Sequence, residues 1–365
     1  MKNASTSVKV SYLGMYTSGH DNNFNLVRFI AALLVLVTHS FALATGQGDS
    51  EPLRVSLGVT LGSIAVDVFF VTSGFLVSGS LLYRQNLKEF LAARALRIFP
   101  ALWLSLFLTV VVLGSFFTTM NYQSFFTEIG TWKFLLRNGV LLMGLAWELP
   151  GTFMENPAKG SVNGSLWSLP SEVKMYLLLA VLWFTAGAFK AVRVRLVSMA
   201  CVGIALAGVA LSLTYYRVGS QSNFIYLGAM FFSGAALQVL KDRVVMSNRI
   251  GICMLAILVT TAFADRTAFE IAYRLLLPYV VLYLATIPTG KIRSFNEIGD
   301  YSYGLYIYAF PVQQALVVLW IGINPYELMI TSFLVTMFFA IGSWYLVEKR
   351  ALALKARFNW IPVTQ

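Results

Sequence analysis

The chain has 365 residues, of which 58% are hydrophobic and 12% are charged, and its formal net charge is +11. Its mean hydropathy of +0.72 excludes a water-soluble globular domain and indicates an integral membrane protein. The basic residues lie between apolar segments and form no hydrophilic face, so the positive charge indicates membrane topology and not nucleic-acid binding.

Apolar segments of membrane-spanning length recur along the chain with short loops between them, which predicts an all-α polytopic fold. The candidate segments are residues 26–45, 59–82, 98–118, 134–148, 171–189, 196–214, 222–240, 250–264, 270–288, 301–321 and 326–347. The segment at 134–148 is shorter than the roughly 20 residues that a spanning helix needs.

Lys and Arg cluster in loops that the positive-inside rule assigns to the cytoplasm. These loops are residues 84–97, 190–195, 241–249, 291–293 and 349–357. They alternate with less basic loops only if 134–148 does not cross, so we predict a re-entrant or surface-lying segment there. About ten transmembrane helices then remain, with both termini cytoplasmic. The corresponding domains are an N-terminal segment (1–25), a transmembrane domain (26–347) and a short basic tail (348–365).

The first apolar segment, NLVRFIAALLVLVTHSF, carries an arginine near its start and a histidine near its end. Lys2, Lys9 and Arg28 before an apolar run also resemble a signal peptide. The run is long and further spans follow, so we expect a retained helix, with cleavage as the alternative. His39 lies eleven residues after Arg28, about three turns, which places both side chains on nearly the same face about 16 Å apart.

Asp67 lies within the second span at a depth that approximates the depth of His39. A carboxylate can hold an imidazole in one tautomer, which leaves the other ring nitrogen free to act as a base. The depth match therefore predicts a His39–Asp67 contact in an active site, since ionisable groups within a membrane usually mark function. The alternative is an interhelical hydrogen bond with a structural role. The other histidine, His20, lies in the polar N-terminal segment.

The stretch FLAARALRIFP places Arg94 and Arg97 three residues apart at the rim of the third span. Together with Arg84 and Lys88 they predict a cationic patch suited to phosphate groups. The alternative is that these residues only anchor the topology of the chain.

On the opposite side, NGSLWSLPSE places Glu172 in the first turn of a helix, just after Pro170. Glu172 and Trp167 are predicted to face a cavity open to the outside, where an acid and an aromatic ring suit a sugar. The alternative is that Glu172 only complements the helix dipole. The tyrosines of DYSYGLYIY, which include Tyr303, either line a cavity or anchor a helix at the membrane interface.

Five stretches, taken together and in order, resemble the membrane-bound acyltransferase-3 family of bacterial O-acyltransferases. They are NLVRFIAALLVLVTHS, VDVFFVTSGFLVSGSLL, FLAARALRIFPALW, GSLWSLPSEVKMYLLLA and YSYGLYIYAFP. The resemblance covers nearly the whole chain. It implies a ten-helix domain of the bacterial inner membrane that moves an acyl group, commonly acetyl from coenzyme A, to a hydroxyl of a glycan or another acceptor.

The resemblance gives functional positions to Arg28, His39, Arg94 and Arg97. One position departs from the family, which often carries a histidine two residues before the proline of YSYGLYIYAFP. That position is Ala309 here. His39 is therefore the only membrane histidine available as a base.

The resulting hypothesis is an O-acyltransferase whose His39 is a general base or a transient acyl carrier. Its predicted residues are His39, Asp67 and Glu172 for catalysis, Arg28, Arg94 and Arg97 for acyl-CoA, and Trp167, Ser168 and Tyr303 for the acceptor. No metal ligand set is visible in the sequence. The expected partners are acyl-CoA, a glycan, the lipid bilayer and other polysaccharide-assembly proteins, with no nucleic acid. Two alternatives are a proton-coupled transporter or flippase that uses His39 and Asp67 as a relay, and a structural subunit of a polysaccharide assembly machine.

Overall fold

A computed structural model describes residues 11–16, 19, 21–219 and 222–355, so His20 lies outside the described residues. Over these residues the fold is helical, with isolated β-bridges and no strand, which confirms the all-α prediction. We number the long helices α1 to α10. They are α1 Phe24–Thr45, α2 Leu61–Arg84, α3 Leu87–Leu108, α4 Leu169–Thr185, α5 Arg193–Arg217, α6 Asn223–Val239, α7 Asn248–Ala264, α8 Arg266–Thr286, α9 Ser302–Leu319 and α10 Pro325–Ser343.

These ten helices correspond one for one to the predicted spans other than 134–148. Seven helical segments of the described chain are long and apolar enough to cross a membrane by themselves. The helices α6 and α7 have 17 residues each and α9 has 18. At about 1.5 Å per residue these three helices are about 26 Å long, slightly less than the hydrocarbon thickness of a bilayer.

Polar residues at the helix starts explain where several helices begin, because free backbone N–H groups there need acceptors. Thr60 and Ser63 form a capping box at the start of α2. Asn324 and Glu327 form another at the start of α10. The Asn86 side chain accepts hydrogen bonds from two backbone N–H groups at the start of α3. Loop residues between the apolar segments thus end one helix and begin the next.

The predicted re-entrant or surface-lying segment contains the short helix Ile129–Val140. Its 12 residues are about 18 Å long, which is too short to cross a bilayer. The helix ends at Leu141, whose φ of 65° is left-handed. The Asn138 side chain then pairs with both backbone groups of Ala146, so the chain folds back beside the helix.

Other short helical segments connect or extend the long helices. They are Leu13–Tyr16, Gly48–Ser50, Arg54–Leu57, Tyr122–Thr127, Gly164–Ser168, Ala186–Ala188, Lys190–Val192, Lys291–Ser294 and Phe295–Ile298. α3 continues through a π-helical turn, Thr109–Gly114, and then Ser115–Phe117. α10 continues through the π-helical turn Trp344–Glu348 and then Lys349–Ala353.

The helix α1 lies inside the bundle and packs against α2, α9 and α10. The helix α2 also packs closely against α6, where glycines let the two backbones approach. A Cβ on Gly74 would lie 1.8 Å from the carbonyl oxygen of Phe231, and a Cβ on Gly234 would lie 2.1 Å from that of Val71. Small residues permit such close packing within membranes, as the spacing of Gly74 and Ser78 indicates. The functional residues of α1 are therefore enclosed by other helices.

Candidate active site

Charged side chains converge where α1 and α9 begin and α10 ends, beside the middle of α3. Arg28 lies 2.9 Å from Asp300, and Arg97 lies 2.5 Å from the same carboxylate oxygen. Arg97 also lies 3.5 Å from Glu348, in the π-helical turn after α10. We call Arg28, Arg94, Arg97, Asp300 and Glu348 the arginine cluster. Residues far apart in the sequence thus share one site.

Asp300 holds the arginine cluster together from the turn that precedes α9. Burial by itself raises the pKa of its carboxyl, but Arg97 and Arg28 outweigh that effect, and the pKa falls to about 2. The Ser302 hydroxyl donates a hydrogen bond of 2.5 Å to the other carboxylate oxygen. Asp300 is therefore an anion at neutral pH and keeps two guanidinium groups side by side.

Arg94 differs from Arg97 because it forms no ion pair within 4 Å with any acidic side chain of the described ranges. Its buried Nε atom finds no hydrogen-bond acceptor among the described residues. Its nearest charged and polar neighbours include Tyr176, Glu172 and the other two arginines of the cluster. A buried donor without an acceptor costs free energy, so this position suits an incoming anion.

Glu172 lies deeper in the bundle than the sequence indicates. Its carboxylate accepts a hydrogen bond of 2.9 Å from Ser73 in α2 and another from Tyr176 in α4. It does not line the cavity that His39 and Trp167 line, so the prediction that Glu172 and Trp167 face one cavity is wrong. Proximity to Trp167 in sequence misleads because Glu172 follows five residues later, and at about 100° per residue the two side chains point roughly 140° apart around the helix.

A cavity of about 250 Å³ lies beside the far end of α1. We call it the histidine cavity. Its lining residues are Val35, Thr38, His39, Glu51, Arg54, Thr60, Gly62, Ser63, Val66, Trp167 and Tyr306. The Thr38 hydroxyl accepts a hydrogen bond of 2.7 Å from the Gly62 backbone N–H, which fixes α1 against the start of α2. The cavity therefore has one wall from each of these two helices.

The imidazole of His39 is oriented by two neighbours. The Ser165 hydroxyl lies 3.5 Å from Nδ1, and the ring meets Phe310 edge to face at 5.0 Å between centroids. If Nδ1–H donates to the Ser165 oxygen, Nε2 carries the lone pair; if Ser165 donates instead, Nδ1 accepts and Nε2 carries the proton. Ser165, and not Asp67, is thus the polar partner of His39.

Asp67 lies outside the histidine cavity, so the predicted His39–Asp67 contact is wrong. Its carboxylate accepts hydrogen bonds of 2.5 Å from Tyr226 in α6 and 2.6 Å from Tyr273 in α8. The reason is helical rotation: Val66 lines the cavity, and the next residue projects about 100° further around α2. Counting residues along a helix gives the depth of a side chain in the membrane, but it does not give the direction in which the side chain points.

The predicted acceptor residues separate into two places. Trp167 lines the histidine cavity, whereas Ser168 is buried behind it and its hydroxyl lies 2.7 Å from the Tyr306 hydroxyl. Tyr306 donates a hydrogen bond of 2.6 Å to the Ser165 carbonyl and itself lines the cavity. Tyr303 lies at the opposite end, where its ring is 5.6 Å from the Arg97 guanidinium. Tyr303 therefore does not line the histidine cavity.

Ala309, where relatives often have histidine, is buried in the interface between α1 and α9. It packs with Ala32, Leu36 and Leu305. The interface is filled by small and aliphatic side chains at this point. His39 thus has no second imidazole beside it among the described residues.

The acidic residues of both sites were not predicted from the sequence. Asp300 and Glu348 lie at helix ends that are 203 and 251 residues from Arg97. Glu51 and Arg54 lie in the loop between α1 and α2, and both line the histidine cavity. Burial raises the pKa of the Glu51 carboxyl, and the Arg54 charge partly offsets that rise. A possible signal was that these acids occur next to long apolar segments.

Side chains that could bind a metal were also compared. In the described ranges, no three His, Cys, Asp or Glu side chains come together as a metal site would require. Cys201 is buried and Cys253 is exposed, and both are free thiols.

Comparisons with known proteins identify the family of this chain. Residues 21–349 match the Acyl_transf_3 family, described as an acyltransferase domain. An O-acetyl transferase of Shigella phage Sf6 is 30% identical over 347 residues, which cover 91% of this chain and 96% of that protein. Nodulation protein 10 of Rhizobium leguminosarum bv. viciae is 26% identical over 93% of this chain and 95% of that protein.

A third relative, the peptidoglycan O-acetyltransferase OatA of Listeria monocytogenes, is 26% identical over 81% of this chain and 50% of its own length. No solved structure matches the chain significantly. The family match covers every helix from α1 to α10 and all residues of both sites. The chain therefore belongs to the acyltransferase-3 family and is an O-acyltransferase of multi-pass membrane architecture.

Proposed function

We propose that this protein transfers an acetyl group from acetyl-CoA to a hydroxyl of a cell-surface or secreted glycan. The observation that carries the proposal is the position of α1, which links the two sites. Arg28 belongs to the arginine cluster, and His39, about 16 Å further along the helix, lines the histidine cavity. Two of the relatives are named as O-acetyl transferases, one of them acting on peptidoglycan.

The arginine cluster is the proposed site for the phosphates of the donor. Guanidinium groups bind phosphate through paired hydrogen bonds, and Arg94 has a buried Nε without an acceptor among the described residues. Lys355, just after the end of α10, adds a further cation near Arg84 and Arg94. This excess of positive charge compensates the charge of a polyphosphate, whereas Arg97 is already paired with Asp300 and Glu348.

His39 is the proposed base. With Nδ1–H bonded to Ser165, its Nε2 removes the proton from the acceptor hydroxyl as that oxygen attacks the thioester carbonyl. The carbon–sulfur bond then breaks, and the coenzyme A thiolate leaves and takes up the proton. The products are an O-acetyl ester and free coenzyme A. A transient acetyl-imidazole at His39 is the alternative route to the same products.

We place the path of the donor beside a group of polar side chains. Glu172, Ser73 and Tyr176 form a hydrogen-bonded group near Arg94. The thioester end of a donor bound at the arginine cluster passes this group on its way to His39. We therefore assign Glu172 a role in lining the donor path and not in binding the acceptor.

The positive-inside rule gives this path a direction. The basic loops at the arginine-cluster end are predicted to be cytoplasmic, which places the donor in the cytoplasm and the acceptor outside. We propose that the protein lies in the bacterial inner membrane with both termini cytoplasmic. The predicted division into residues 1–25, 26–347 and 348–365 remains part of this proposal.

The test measures transfer of labelled acetyl from acetyl-CoA into surface glycans by membranes that contain the protein. We expect His39→Ala to abolish the label, whereas His20→Ala, the matched control on the other histidine, retains it. Both variants must reach the membrane in equal amounts. Label that survives His39→Ala at the parent rate would refute a chemical role for this residue.

The same experiment separates the competing classes. A proton-coupled transporter or flippase would show uptake that depends on His39 without any transfer of label. A structural subunit of a polysaccharide assembly machine would tolerate His39→Ala. Family membership favours acyl transfer over both. Acid quenching after incubation with labelled acetyl-CoA, without acceptor, distinguishes an acetyl-imidazole from direct transfer.

A further inference from the structure

The loop between α1 and α2 covers the histidine cavity and supplies it with two charged residues. The loop folds into the short turns Gly48–Ser50 and Arg54–Leu57. Leu53 and Gly58 adopt left-handed backbone angles, with φ of 70° and 73°. These turns bring Glu51 and Arg54 over the same cavity as His39 and Trp167.

Arg54 pairs with only one of the two carboxylate oxygens of Glu51, which leaves the other oxygen for a ligand. Arg54 reaches the Oε2 atom of Glu51 twice, from Nε at 2.9 Å and from Nη2 at 2.8 Å. No described residue donates a hydrogen bond to Oε1. The Glu51 side chain is only 10% exposed, whereas that of Arg54 is 46% exposed. The guanidinium therefore orients a carboxylate whose second oxygen can accept hydrogen bonds inside the cavity.

The other walls of the cavity suit a sugar ring. Trp167 supplies an aromatic surface, and Tyr306 and Thr60 supply hydroxyl groups. The volume of about 250 Å³ is roughly that of eight water molecules, which accommodates one monosaccharide unit. A carboxylate oxygen in such a site accepts hydrogen bonds from neutral hydroxyl groups and repels a sugar that carries its own carboxylate.

We propose that Glu51 is an acceptor-binding residue that selects a neutral, hydroxyl-rich sugar. One hydroxyl of the sugar donates to Oε1 of Glu51, while a neighbouring hydroxyl faces Nε2 of His39. Arg54 acts as a positioning residue, because it fixes the carboxylate without being required to touch the sugar. The proposal rests on the proposed transfer of acetyl to a glycan. It specifies that the protein recognises one sugar unit of the acceptor through its hydroxyl groups.

The test compares Glu51→Gln with Asp49→Asn, which removes an exposed acid from the same loop outside the cavity. Purified proteins in detergent transfer labelled acetyl from acetyl-CoA to soluble oligosaccharides released from the acceptor glycan. We expect Glu51→Gln to raise the KM for the oligosaccharide about tenfold to a hundredfold, the range for loss of a hydrogen bond to a charged group. The kcat should change by less than about threefold, and Asp49→Asn should match the parent in both constants.

Acetyl-CoA affinity, measured on the same samples, checks that the variants are folded, because the arginine cluster lies at the other end of α1. A neutral methyl hexoside should inhibit the parent competitively and inhibit Glu51→Gln more weakly, whereas a methyl hexuronide should not inhibit the parent and should inhibit Glu51→Gln, which lacks the excluding charge. An unchanged acceptor KM, or a loss confined to kcat, would overturn the assignment while leaving the proposed function intact. If the parent itself transfers no label, the proposed function fails first, and this inference fails with it.

Discussion

Asp300→Asn removes the carboxylate that holds Arg28 and Arg97 together. The pKa of Asp300 is about 2 in the folded protein against an ordinary value of 3.8. Since one pKa unit corresponds to about 1.4 kcal/mol, the charged form of Asp300 stabilises the fold by about 2 kcal/mol at neutral pH. The side chain is 12% exposed, so solvent screens this interaction little. The variant should therefore lower the folded-to-unfolded ratio by roughly thirtyfold.

The fold provides a convenient assay for this loss. Cys201 is buried and Cys253 is exposed, so Cys253→Ser leaves one thiol that reacts with a fluorescent maleimide only after unfolding. Thermal unfolding of the detergent-solubilised protein, followed through this thiol, gives the stability difference between parent and variant. Asp21→Asn is the matched control, because Asp21 pairs with Arg293 at 2.6 Å but its side chain is 79% exposed. We expect Asp21→Asn to lower the free energy of unfolding by less than about 1 kcal/mol.

The pH dependence gives an independent check. Because folding lowers the pKa of Asp300, its stabilisation is complete above pH 3.8 and is lost as the pH falls towards 2. The difference between parent and Asp300→Asn should therefore shrink over that interval. If Asp300→Asn and Asp21→Asn lower the free energy of unfolding by the same amount at neutral pH, the inferred role of Asp300 in the arginine cluster is refuted.

Three further predictions address packing, donor binding and the base. Gly74→Leu should abolish monodisperse folded protein in gel filtration because its Cβ would overlap the α6 backbone, whereas Gly203→Leu, with open space around it, should be tolerated. Burial and neighbouring arginines lower the pKa of Lys355 to about 8, so the affinity for coenzyme A should fall as the pH rises through 8. Calorimetry should measure this fall in the parent and find none in Lys355→Gln. Ser165→Ala should lower kcat about tenfold and leave the acceptor KM nearly unchanged, because only the orientation of His39 is lost. The same variant should shift the pH–rate profile. An unchanged profile would exclude Ser165 as the partner of His39.

The amino-acid sequence by itself determined the helices and their number. In lipid, a backbone must satisfy its hydrogen bonds within the helix, so each apolar segment of sufficient length has one available structure. The basic loops predicted that residues 134–148 do not cross, and the short helix Ile129–Val140 agrees with that prediction. The helical rise also placed Arg28 and His39 at opposite ends of α1, because distance along one helix depends only on residue count.

Only the tertiary structure decided which side chains meet between helices. Rotation of α2 about its axis turns Asp67 towards Tyr226 and Tyr273 and away from His39, and the start of α4 places Glu172 beside Ser73. Neither rotation is encoded in hydropathy, because all sides of these helices are largely apolar. The arginine cluster likewise needs helix ends more than 200 residues apart, which come together only when α3, α9 and α10 pack. The sequence thus predicted most of the candidate functional residues, and the packing of the helices determined which residues they contact.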